Sequence, residues 1–234
     1  MKILILFIHL LLIAACGTKS KAGPYAELTP KEKARIALDD KDFQGAVVLY
    51  KAVIADDPKD FESYRFLAAA YAEEGGFDIL KAVSGTVGSS SSNLLTGISK
   101  FLPAEPTDAQ IEALKLSTKT LLSLPEEQRS TLHPEIPSAS SAAQQLQFYQ
   151  AAYSLIYLNK FTKITPSGAV DPSQLATMSN ADVDNILNNF TAIATAAGGG
   201  AVAEGADAFM SQLNSMPGET RRDKLISYLA AHPS

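Results

Sequence analysis

Few side chains in this chain of 234 residues are of the types that run covalent or metal chemistry. Cys16 is the single cysteine, so the chain forms no internal disulfide and has no cysteine pair for a metal. Of three histidines, His9 lies in an apolar leader, His133 beside Pro134 and His232 near the C-terminus. None has the H-E-x-x-H spacing that places two imidazoles on one helix face to hold zinc. No serine stands in G-x-S-x-G, the strained turn that exposes a nucleophile. Gly200 and Gly205 have the spacing of a phosphate-binding loop, but Ala206-Asp207 occupy the positions where lysine and a hydroxyl residue would reach phosphate and magnesium. The acidic pairs Asp39-Asp40, Asp56-Asp57 and Glu73-Glu74 could serve as acid and base, as paired carboxylates do in glycosidases. Their recurrence every 17 residues reads instead as solvated helix ends. Tyr149, Tyr153 and Tyr157, at helical spacing, are candidates either for the wall of an apolar cavity or for one edge of a core. No catalytic residue, metal centre or cofactor is expected.

The elements that position these residues are helices. Thr29-Pro30-Lys31-Glu32 joins an N-cap threonine, proline at the first helical position and a glutamate three beyond the cap, and predicts a helix to about Asp40. Asp42 caps a second through Ala55, which Pro58 ends, and a third runs from near Asp60 to Gly75-Gly76. Residues 85–93 are too polar and glycine-rich for a packed helix, and 93–102 form a short one. Thr107 to Gln110 is a second capping box, opening a helix to about Leu124, with a short helix from Pro125 to Leu132 after it. A long helix from about Ser140 to Lys160 forms the centre of the C-terminal half, and a loop from Thr162 to Pro172 follows. Further helices are expected near Asn180 to Ala197, Ala203 to Ser215 and Glu219 to His232, with a close helix approach around the glycine turn of 192–208. No segment alternates with period two, so the class is all-α with no sheet.

Lys2, the apolar stretch Ile3 to Ile13 and the small residues Ala14-Ala15 describe a secretory signal over 1–15, too short to span a bilayer. Ile13-Ala14-Ala15-Cys16 resembles the lipobox of bacterial lipoproteins. The resemblance implies that Cys16 becomes the first residue and carries a diacylglycerol on its sulfur and a fatty acyl chain, such as palmitate, on its amine. Two or three acyl chains anchor a protein stably where one does not. Residues 16–27 then form a short polar tether. Gly17, where aspartate would favour retention, is similar to the pattern of lipoproteins sent to the outer membrane and facing the periplasm. With 20 basic against 25 acidic residues and a formal charge of −5, no nucleic acid is expected as a partner.

Residues 28–86 carry a second resemblance. Ala46, Tyr50 and Pro58, with Asp42-Phe43 in the preceding turn, followed by Tyr64, Leu67, Ala68, Tyr71, Gly75 and Phe77, resemble the tetratricopeptide repeat. The pattern fades at Leu80, where alanine is expected. This implies α-solenoid hairpins over 28–86, completed by a C-terminal helical bundle over 87–234, because such repeats bury a continuous core only when several units stack. In that family the first helices of the hairpins line a concave groove for peptides. Here that face would present Lys31, Arg35 and Arg65 with Glu62 and Glu73, while Phe66 stands where some members use asparagine to clamp a carboxylate.

The sequence thus reads as a non-enzymatic, lipid-anchored helical scaffold, binding one or more envelope proteins in an assembly or secretion machine. The alternative is a small-ligand-binding accessory lipoprotein of a solute transporter, with its cavity along Tyr149, Tyr153 and Tyr157.

Overall fold

Thr29 starts the first helix through a reciprocal capping box: its side chain accepts from the Glu32 amide, and its own amide donates to Glu32 Oε2 at 2.8 Å. In the computed structural model, which describes residues 28–82, 98, 100–103, 105–133, 135–162, 175, 177–196 and 200–231, this is α1, Pro30–Asp39. Asp42 Oδ1 accepts from the Gly45 amide and opens α2, Phe43–Asp56, and Asp60 caps Ser63 in the same way to open α3, Phe61–Glu74. Residues 79–82 form a further helical turn. The Thr107–Gln110 box opens α4, Asp108–Leu122. Then come a 3₁₀ turn, Glu126–Gln128, and α5, Pro137–Thr162. Last are α6, Asn180–Ala194, α7, Ala201–Ser215, and α8, Arg221–Ala231. Among the described residues every regular element is helical, and the class is all-α.

Several boundaries differ from the expectation: α6 ends at Ala194 rather than near Ala197, α4 ends at Leu122 rather than near Leu124, α7 begins at Ala201 rather than near Ala203, and two further differences fall at prolines. The segment after Pro125 makes one 3₁₀ turn, because the Pro125 cap supplies no side-chain acceptor and Arg129 leaves the helical region at φ −135°. The long helix starts at Pro137, three residues before the expected Ser140, since proline's fixed φ suits the first helical position. α6 and α7 pack on each other as expected, and at Gly200, the described end of the turn between them, glycine supplies conformation. Gly200 has φ 103°, and a Cβ built there meets nothing within 4 Å. The expectations for 1–27, 85–93, the 163–172 loop and His232 fall outside the described residues, as does most of 93–102.

From α1 to α7 each helix packs on the next along the chain, and α8 returns onto α6 and α7. The burial falls into two clusters. Ala34, Ala46, Val47, Tyr50, Leu67, Ala70 and Tyr71 form the smaller one between α1, α2 and α3. The larger runs from Ala68 and Ala72 of α3 through α4 and α5 to Leu229. One helix therefore belongs to both cores, with Leu67, Ala70 and Tyr71 turned to one and Ala68 and Ala72 to the other. Ala46 and Ala68 have no exposed surface, as small residues at helix crossings must. Gly75 lets α3 meet α4 closely: a Cβ there would stand 2.8 Å from Leu114 Cγ. α5 is buried on several faces and acts as the central strut, its Ser154 and Thr162 hydroxyls bonded to carbonyls one turn back.

Candidate functional site

α1, α3, the 79–82 turn and α5 together border a trough. Its first part, about 360 Å³, is lined by Arg35, Lys41, Phe66, Glu73 and Leu80, among others. A second hollow of about 300 Å³ is lined by Arg65 and Phe148 and shares Ile79, Leu80 and Gln145 with the first. Helical spacing explains the floor, since Phe66, Ala69 and Glu73 lie at i, i+3 and i+7 on one face of α3. Lys41 reaches the rim from the α1–α2 turn, where its φ is 63°.

The floor is backed by an aromatic stack. The Arg35 guanidinium sits 4.5 Å from the Phe66 ring centroid, and Phe66 lies on Tyr50 at 5.7 Å with 20° between planes. Tyr50 is fully buried, its hydroxyl has no partner among the described residues, and burial pushes its phenol up to about 12. Arg35 also pairs with Asp39 at 3.2 Å, but both side chains are more than half exposed, so the pair competes weakly with an incoming carboxylate. Leu80, 79% exposed, is the apolar edge of the trough.

The five residues expected to face a partner divide. Arg35 and Glu73 line the first hollow and Arg65 the second. Lys31 and Glu62 line neither: Lys31 Nζ lies 2.9 Å from Asp60 Oδ2 and 2.8 Å from Glu62 Oε2, so its charge is taken up in joining α1 to the start of α3. Desolvation works against that charge, but the hydrogen bonds to Glu62 and Asp60 outweigh it and raise the Lys31 pKa. Arg65 Nε donates to Gln145 Oε1 at 3.3 Å, tying α3 to α5, and burial lowers its pKa. Burial, then the nearby Asp78 charge, pushes the Glu73 carboxyl up to about 7.

The tyrosine stripe forms a packed seam. Tyr149 has no exposed surface and meets Phe77 edge-on at 6.2 Å; burial raises its phenol well above the ordinary range. Tyr153 packs on Tyr157 at 6.0 Å, and Tyr157 donates to Asp182 Oδ1 at 2.9 Å, joining α5 to α6. None of the three lines the hollows described here. Cys16 lies outside the described residues. Among those residues no group of three or more histidine, cysteine, aspartate and glutamate side chains is placed to hold a metal ion, and no helix is long and apolar enough to cross a membrane.

Sequence reasoning missed the roles of Phe66 and Leu80, although both carried a signal. Phe66 stands where some tetratricopeptide proteins have asparagine and Leu80 where the resemblance leads one to expect alanine, and both add apolar surface to the trough. In comparisons with known proteins the chain matches no family model, and neither a curated protein nor a solved structure shows significant similarity.

Proposed function

We propose that the chain is a lipid-anchored helical scaffold that holds a segment of an envelope protein in the trough between α1, α3 and α5. On this reading the chain is a lipoprotein acylated at Cys16, tethered through 16–27 to the outer membrane and facing the periplasm, with tetratricopeptide-like hairpins presenting the binding face. The observation that carries the reading is the trough: Arg35 stacked on Phe66, which the buried Tyr50 backs, beside an exposed Leu80, with Lys41 and Arg65 on its borders. Arginine stacked on an aromatic ring beside an exposed aliphatic residue is the make-up of an interface anchor. Three cations around it suit a segment with acidic residues flanking an aliphatic one. No enzymatic step is assigned to the chain.

The experiment is charge reversal in the trough. Arg35→Glu with Arg65→Glu should remove specific proteins recovered after crosslinking in intact membranes, while the circular dichroism spectrum keeps its helical form. A folded double variant that recovers the same proteins as the wild type overturns the reading.

A further inference from the structure

A third hollow, about 350 Å³, lies where the end of α4, the 3₁₀ turn, the middle of α5 and the end of α6 converge, and it shares no lining residue with the trough. Its floor carries Gln147 and Gln150, one turn apart on α5 and only 6% and 7% exposed. No hydrogen bond joins either side-chain amide to another described residue, and neither is sealed from solvent: both open into the hollow. Each amide offers two N–H donors and an acceptor oxygen to whatever fills the hollow. Unlike the tyrosines of the same helix, these two line a hollow.

The walls narrow the chemistry. Arg129 Nε donates to the Leu124 carbonyl at 3.1 Å, which holds the guanidinium at the wall, and among the described residues no carboxylate lies in ion-pair distance of it. Glu126, one turn before it, is exposed and likewise unpaired among the described residues. Leu122 and Leu132, 44% and 69% exposed, are two of the large apolar side chains left in solvent, and both edge this hollow. No aromatic residue lines it, so it has no platform for a sugar ring or a nucleobase. The volume is at the small end of ligand pockets.

We propose that this hollow binds a zwitterionic ligand of dipeptide size with an aliphatic side chain. Arg129 takes the carboxylate through its fork of donors and Glu126 the ammonium. Gln147 and Gln150 pair with the N–H and C=O of the peptide group, and Leu122 and Leu132 close over the aliphatic side chain. The site is separate from the trough and stands whether or not the trough binds a protein.

The test is isothermal titration calorimetry of the full chain in detergent with L-alanyl-L-leucine, its N-acetyl form and its C-terminal amide. Saturable binding of the free dipeptide at millimolar concentration or below is expected. Each capped form should bind about tenfold more weakly, as loss of one charge-assisted contact implies. Gln147→Leu with Gln150→Leu, and separately Arg129→Gln, should weaken binding at least as much with the helical spectrum unchanged. Absence of saturable binding overturns the proposal, as does equal affinity for all three ligands. The capped ligands leave the protein untouched, so this comparison decides the matter even where a variant fails to fold.

Discussion

Replacing Gly75 with alanine probes the joint at which the small core gives way to the large one. The residue caps α3 at φ −71° and ψ −4°, a conformation open to any amino acid, so backbone strain contributes nothing. By restricting the unfolded chain, alanine alone would add about 0.4–1 kcal/mol of stability. Space argues the other way. The new Cβ would stand 2.8 Å from Leu114 Cγ and 3.1 Å from the Gln110 carbonyl oxygen. Leu114 has no exposed surface and so no open side to swing toward, and Gln110 meets the Cβ with backbone, which moves only if α4 moves. Overpacking of this kind costs about 1–3 kcal/mol, so the net effect is a loss of about 1–2 kcal/mol. For a chain of this size that lowers the melting temperature by about 2–8 °C, read by circular dichroism at the helical band. An unchanged or raised melting point would refute the close α3–α4 approach.

Three further outcomes follow from the same geometry. Glu73 has a pKa of about 7 in the folded protein against 4.5 for the ordinary group, so the folded state binds its proton more tightly and stability is lost as pH rises from 4.5 through 7. With the side chain half-buried, solvent screening leaves this at about 1–2 kcal/mol, and urea melts of the wild type should weaken between pH 5 and pH 8 relative to Glu73→Gln; parallel pH profiles would contradict it. Asp60→Ala should destabilise by about 1–2 kcal/mol, because Asp60 both caps α3 through Ser63 and anchors Lys31, and a melt matching the wild type would show that neither contact matters. Radiolabelled palmitate should enter the wild-type chain and not Cys16→Ser, and equal labelling of both would remove the lipid anchor from the account.

What was legible in the sequence was the local chemistry of helix ends. Thr29, Asp42, Asp60 and Thr107 each sit where a side-chain oxygen can take an orphan amide, and each starts a helix within a residue of the expected place. The helical class followed from periodicity alone. Contact between distant elements was not legible. Lys31 looks like a groove residue until Asp60, 29 positions on, is brought to its ammonium. Tyr157 reads as a cavity wall until Asp182 arrives to accept its hydroxyl. Gln147 and Gln150 carry no spacing signal, since an amide's significance lies in what fails to pair with it once helices close around it. The trough needed the same tertiary information, because Arg35, Phe66 and Gln145 meet from three helices.

The central claim, that the trough is where the chain engages another protein, is tested most directly by placing a photo-crosslinking phenylalanine derivative at Leu80 and, separately, at Val48. Both positions are exposed, at 79% and 66%, so both tolerate the substitution, but Leu80 edges the trough while Val48 lies on α2 and lines none of the three hollows. Illumination of intact cells should give discrete adducts from position 80, lost when Arg35→Glu is added, and none from position 48. No adduct at position 80, or the same adducts from both positions, would contradict the account.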